Sequence, residues 1–162
     1  LSGERMRLHV GSGDKTWPGF VNCDLHAEAD VNTDCKRLPF EANSVDEIHA
    51  IHFVEHIPRL ELENMLTDWH RVVKPGGKVV IEVPCLNKMA QLIVDGEKNM
   101  RLTLLGMFGD PRDPKPGMMH QWAYTKEELM ESLMQCGFDK VEVMEPVFHM
   151  VARDMRLEGV KP

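Results

Sequence analysis

An α/β fold built on a parallel sheet is predicted by three observations. Apolar runs of strand length recur at Met6–Val10, Phe20–Leu25, Val45–Ile51 and Lys78–Val83. The segments between them carry turn signals or helical periodicity, the alternation expected of parallel strands with covering helices. The first run leads straight into Gly11-Ser12-Gly13, a turn in which backbone can approach a ligand with no Cβ in the way.

Taken in order, Met6–Val10 is the first strand and Phe20–Leu25 the second, ending near Asp24. Few residues separate them, and Trp17-Pro18-Gly19 interrupts any helix placed there, so a loop or a single helical turn is expected. A short third strand falls at Asp30–Asn32. Leu38-Pro39-Phe40 and the turn-like Glu41-Ala42-Asn43-Ser44 then lead into Val45–Ile51, the fourth. After Pro58 the residues Leu60, Leu62, Met65, Leu66, Trp69, Val72 and Val73 repeat at helical spacing until Lys74-Pro75-Gly76-Gly77, which marks a helix stop. Lys78–Val83 is a β-branched fifth strand. A long irregular segment follows. Thr125 is the N-cap of another helix, with Glu128 as its capping-box partner, and Cys136-Gly137-Phe138 ends it. Strands at Lys140–Met144 and His149–Leu157 complete the chain as a hairpin or edge pair.

A chain of 162 residues, 43% hydrophobic, suits one domain spanning 1–162 with a sizeable core. Its formal charge of −7 repels a polyanion, so no nucleic-acid partner is expected. Cys23, Cys35, Cys85 and Cys136 form no CxxC pair, which suits reduced thiols in a cytosolic protein. No apolar run reaches the roughly 18 residues of a membrane span, and no signal-peptide pattern opens the chain. A cytoplasmic protein without a membrane partner is expected.

The glycine turn is not a dinucleotide fingerprint. The third glycine position of GxGxxG holds Thr16, and Asp24 comes too early for the usual acidic residue, so NAD is disfavoured. Asp24, at the end of the second strand, is placed to accept hydrogen bonds from ribose hydroxyls, and Asp34 from an exocyclic adenine amine. The residues alone leave open that both are solvated loop carboxylates.

The ordered segments LHVGSG, VNCDL, DCKRLPFEANSVDEIHAIHFVEHI, WHRVVKPGGKVVIEVP and YTKEELMESLMQCGF resemble the class I S-adenosylmethionine-dependent methyltransferases, and among them the short bacterial enzymes of the type 11 kind. The resemblance covers nearly the whole chain. It implies a Rossmann-like, mostly parallel seven-stranded sheet in the order 3214576, with a C-terminal antiparallel hairpin, and S-adenosylmethionine as cofactor with S-adenosylhomocysteine as product. It implies further that Gly11 and Gly13, with Ser12 between them, line the methionine part of the cofactor. Asp24 would hold the ribose, Asp34 with Cys35 would contact adenine, and His52 would touch the cofactor. Two departures are Ser12, where the family often has cysteine, and the short first crossover, which leaves less protein over the cofactor.

His52-Phe53-Val54-Glu55-His56 also spells HxxEH, a zinc-hydrolase signature in which two histidines on one helix face hold the metal. Here the motif follows a strand directly and meets Pro58 two residues later, so the helix is expected to start after it, and no third ligand stands out. His120, in the polar and aromatic stretch Gly117–Tyr124, lies shortly before the helix that opens at Thr125, a position that in related sequences also carries a histidine. The twelve methionines gather toward the second half, where they fill the core or line an adaptable apolar pocket.

The preferred function is methyl transfer to a small-molecule or sugar-type acceptor bound by Leu86–Tyr124. No metal is required, because a sulfonium methyl is already activated and the enzyme's main task is orientation. A hydroxyl or amine acceptor needs a base, for which His120, His56 and Glu55 are the candidates. The alternatives are a cofactor-binding protein without catalysis and an HxxEH zinc hydrolase.

Overall fold

In the central strands neighbouring residues differ in kind, and the sheet is organised by that difference. The computed structural model describes residues 5–162. Its strands are β1 (Arg7–Val10), β2 (Val21–Asp24), β3 (Val31–Asn32), β4 (Val45–Ile51), β5 (Val73–Pro84), β6 (Asp139–Met144) and β7 (Asp154–Val160). They form one sheet in the order β3-β2-β1-β4-β5-β7-β6. The first five are parallel, and β7 runs antiparallel to both β5 and β6. The expected order is the observed one.

Leu8, Ile48, Val79 and Gly159 lie in one row across β1, β4, β5 and β7. Side chains of this parity, with Val10, Ala50, Ile81, Val83 and Leu157, form the buried core. Two helices cover it. Helix α1 (Leu62–Val72) buries Leu62, Met65, Leu66, Trp69 and Val72, and the indole of fully buried Trp69 donates to the Cys35 carbonyl at 2.8 Å. The amphipathic spacing read from the sequence is therefore real, although Leu60 lies outside it, 90% exposed in the short 3-10 turn Arg59–Glu61. Helix α4 (Lys126–Gln135) begins where expected, with Thr125 Oγ1 accepting from Glu128 N at 3.1 Å. The second half of the capping box is missing, because the Glu128 carboxylate turns to Arg59 and Trp122.

The alternate residues point to the other side. His9, His49, Val80 and Glu158 form one row, and Glu82 pairs with Arg156 in another. This face carries matched charges, with Lys78 Nζ 3.0 Å from Glu158 and Arg156 Nη1 3.6 Å from Glu82, while His49, whose imidazole burial pushes below its ordinary value, sets Nε2 3.0 Å from Glu47. Residues 11–20 contain no helix. Instead Trp17 plugs the face, stacked between His9 at 3.9 Å and Phe148 at 4.8 Å, with Phe20 and His49 edge-on to it. Asn22 holds the plug by accepting from Trp17 N at 2.8 Å. The Phe148 side is anchored by Glu82, fully buried, whose carboxylate accepts from the backbone N–H groups of Val147, Phe148 and His149.

Two expectations are corrected. The segment after β5 is not wholly irregular: it holds α2 (Leu86–Val94) and α3 (Met100–Phe108), with residues 95–99 and 109–123 free of regular structure. The last strand starts at Asp154, not His149, because Met150 donates to the Asp154 carboxylate and accepts at its carbonyl from Arg153 and Asp154, which closes a turn. Among the described residues no helix is long and apolar enough to cross a membrane.

His9 gives the charged face a pH signature. Burial is the main cause that lowers its imidazole from 6.5 to about 4. Above pH 6.5 it is neutral in both folded and unfolded chains. As pH falls from 6.5 toward 4 the unfolded chain takes a proton that the folded one refuses, so stability drops, by on the order of 3 kcal/mol in full. Urea unfolding of the wild type and His9→Asn across this range is expected to show a shallower fall in the variant; parallel curves would assign the effect elsewhere.

Candidate active site

The carboxyl edge of the sheet, at the point between β1 and β4 where the strand order reverses, is where open α/β sheets bind ligands. Gly11 and Gly13 lie there with positive φ angles of 64° and 53°. Their loop is tied to β2: Ser12 N donates to the Cys23 carbonyl at 3.1 Å, and Gly13 N to Asp24 Oδ2 at 2.9 Å. Asp24 Oδ1 accepts from His26 N and Ala27 N, both at 2.8 Å. Burial alone would raise this carboxyl, but the Ala27, His26 and Gly13 N–H groups outweigh it and hold it below its ordinary value. It is therefore ionised at neutral pH, and Oδ2, with one donor, keeps a lone pair for a ligand hydroxyl.

The two glycines differ in surroundings. A Cβ on Gly11 would lie 2.2 Å from Phe53 Cδ2, whereas one on Gly13 would meet nothing within 4 Å. Phe53 thus forms the floor beneath the glycine loop, a role the sequence reading assigned to no residue, although it adjoins the expected contact His52. Ser12 is buried and serves the turn.

Asp34 is exposed, with Oδ1 accepting from Lys36 N at 3.0 Å and Arg37 N at 3.3 Å. Cys35, with φ of 58°, turns its side chain inward, and burial is the main cause that pushes its thiol up to about 12. It packs under the loop as a neutral thiol, so a ligand would meet Asp34 and the Cys35 backbone in preference to the sulfur.

His52, just past β4, has φ of 52° and donates its backbone N–H to Glu82 O at 2.7 Å. Its ring faces Glu55, Asp154 and His149: Nδ1 is 3.0 Å from Glu55 Oε1, Nε2 is 3.4 Å from Asp154 Oδ2, and the His149 ring centre is 4.0 Å away. Burial lowers such an imidazole, but the Asp154 and Glu55 carboxylates overcome that and raise it to about 9, so His52 is an imidazolium at neutral pH. Asp154, some hundred residues along the chain, carried no sequence signal.

The three catalytic candidates come together. Glu55 is 1% exposed, the His56 and His120 rings meet edge to face at 4.8 Å, and one donor atom from each of Glu55, His56 and His120 lies within 4.8 Å of the others. His120 Nδ1 is 2.9 Å from the Gly106 carbonyl. A carbonyl only accepts, so Nδ1 carries the proton and Nε2 keeps its lone pair. Burial pushes this imidazole below its ordinary value despite the opposing Glu55 charge, leaving it neutral. The Gln121 and Trp122 N–H groups both donate to the Glu55 carbonyl, which seats the loop carrying His120 on the turn carrying Glu55. Lys115 of the same loop pairs with Asp14 beside the glycine turn.

The HxxEH motif does not adopt the hydrolase arrangement. It begins just past β4 and ends in the 3-10 turn Val54–His56, not in a regular helix, and its two histidines turn to different partners.

A family model described as a methyltransferase domain matches residues 16–81. A sterol 4-C-methyltransferase of Caenorhabditis elegans is 37% identical over 51 residues, covering 32% of this chain and 15% of that protein. A demethylmenaquinone methyltransferase of Oceanobacillus iheyensis is 27% identical over 122 residues, covering 70% and 49%. The chain thus spans at most about half the length of these relatives. Among solved structures, a methyltransferase of Methanosarcina mazei aligns over 99% of this chain and 94% of its own (TM-score 0.68, 16% identity). A possible histamine N-methyltransferase of Thermotoga maritima aligns over 100% and 84% (TM-score 0.67, 15% identity). At these identities the structures establish the shared fold.

The glycine geometry sets an unequal pair of substitutions. Gly13→Ala meets only the left-handed backbone penalty, about 1 to 2 kcal/mol. Gly11→Ala adds the clash with Phe53, a further 1 to 3 kcal/mol by typical overpacking costs. Denaturant titration of both variants is expected to rank Gly11→Ala clearly lower; equal losses would remove Phe53 as the floor of the loop.

Proposed function

We propose that this chain is a class I S-adenosylmethionine-dependent methyltransferase, a reading that the matching methyltransferase-domain model and the shared fold support, and that it binds S-adenosylmethionine at its glycine loop and transfers the methyl group to a small-molecule acceptor. The observation that carries the cofactor reading is the Asp24 carboxylate, ionised, bonded to Gly13 N and left with a free lone pair at the end of β2. That is what a ribose hydroxyl needs, and the open space at Gly13 leaves room for the methionine part beside it. The cofactor supplies a methyl already activated on a sulfonium.

The chain's own contribution is placement and proton removal. Holding the acceptor atom in line at near-attack distance is the larger effect. A hydroxyl or protonated amine must also lose a proton, and His120, neutral and with Nε2 free, is the best placed of the three candidates, backed by Glu55 and His56. His52 is a poor base because its carboxylate neighbours keep it protonated. The exposed apolar side chains near His120, namely Phe108, Met119 and Trp122, suit an acceptor with an apolar body. The sterol and quinone named for the two relatives are of that kind, and a sugar-type acceptor would stack on Trp122.

Calorimetric titration with S-adenosylmethionine and S-adenosylhomocysteine tests the cofactor site. Asp24→Ala is expected to weaken binding at least tenfold, about 1.4 kcal/mol; no binding to the wild type would end the reading. With an acceptor found by product formation in a broad panel, His120→Ala is expected to lower kcat about 100-fold, a common value for a general base, with cofactor affinity unchanged. Binding with no turnover of any acceptor would instead favour a cofactor-binding protein without catalysis.

A further inference from the structure

We infer that Glu55, His56 and His120 form a binding site for a single zinc ion. The first observation is the convergence of three ligand-type atoms, one from each residue, within 4.8 Å of one another. The second is independent of it: Glu55 is 1% exposed, yet its Oε2 has no hydrogen-bond partner, and buried His56 Nδ1 also lacks one. Glu55 Oε1 does lie 3.0 Å from His52 Nδ1, so the oxygen left wholly without a partner is Oε2. A buried carboxylate oxygen without a donor is costly, and a cation seated beside it removes that cost.

The donor set is two imidazole nitrogens and one carboxylate oxygen, which suits zinc. His120 donates Nδ1–H to the Gly106 carbonyl at 2.9 Å, the outer contact that orients a metal-binding histidine and leaves Nε2 as ligand. A tetrahedral zinc with bonds of about 2.1 Å sets its ligands about 3.4 Å apart, so small side-chain rotations close the site. Three protein ligands leave one position open.

The neighbouring group of His52, Glu82 and His149 also brings ligand atoms together. It does not compete, because the Glu82 oxygens already accept three backbone N–H groups. The zinc site also differs from the HxxEH hydrolase: it uses one motif histidine, takes the motif glutamate as a ligand and recruits His120 from a distant loop. Zinc binding does not depend on the methyltransferase reading. Only its consequence does, that the open position would take an acceptor oxygen or nitrogen in place of proton removal by His120.

The test uses the full chain, freed of metal with a chelator and dialysed, then titrated with zinc chloride by calorimetry, with metal content measured on the product. One equivalent per chain is expected. Glu55→Gln and His120→Ala should each weaken binding at least tenfold, while His149→Ala should not. Thermal melts check that the variants fold. Cobalt(II) on the wild type gives a readout that needs no variant: strong visible absorption of a four-coordinate ion is expected. No stoichiometric zinc, binding undiminished in both variants, or only the weak absorption of six-coordinate cobalt would overturn the site. S-adenosylmethionine titration of the same metal-free sample keeps the two readings apart, because a failed zinc site leaves cofactor binding intact.

Discussion

Ten residues separate β1 from β2, too few to build a helix over the sheet, and much of the molecule answers to that shortage. A parallel sheet is ordinarily buried on both faces. Here one face is covered by α1 and α4, and the other buries polar and charged side chains that are matched to one another along β4, β5 and β7. Trp17 then closes the area over β1, held between His9 and Phe148. The same short connection brings the glycine turn back onto β2 almost at once, so that Asp24 can receive Gly13 N. Loop geometry and sheet-face chemistry have one cause.

What was legible in the sequence follows from what repeats. The strands of the parallel core, α1 and α4 announced themselves by apolar periodicity and by caps. Helix α3 did not, since Met100–Phe108 is apolar on nearly every side and has Gly106 within it, which gives no stripe to read. Val151 suggested strand but is 54% exposed in a turn, and that turn is closed by contacts to Asp154. The glycines and Asp24 could be read because their chemistry is local. The surroundings of His52, which join β4 to Asp154 and His149, and the seating of His120 on Glu55 are long-range. No spacing along the chain could have disclosed them.

Strain gathers at the same edge. Of the four non-glycine residues with positive φ among the described residues, Cys35 and His52 both stand beside the glycine loop. Each is held by buried partners: Trp69 bonds the Cys35 carbonyl, and Glu82 O receives the His52 N–H. Such conformations persist where surrounding contacts over-determine them. They place Phe53 under Gly11 and turn the His52 ring away toward Asp154. The floor of the loop and the buried charges of the neighbouring turn are thereby set by one bend of the chain.

The charged face has a thermal consequence. Exposing apolar surface raises the heat capacity of an unfolding protein, and exposing polar surface lowers it. A sheet that hides ionic rows where others hide aliphatic ones gains less heat capacity on unfolding than one sheathed in helices on both sides. Its free energy of folding then curves less steeply with temperature, so the protein keeps more of its stability in the cold.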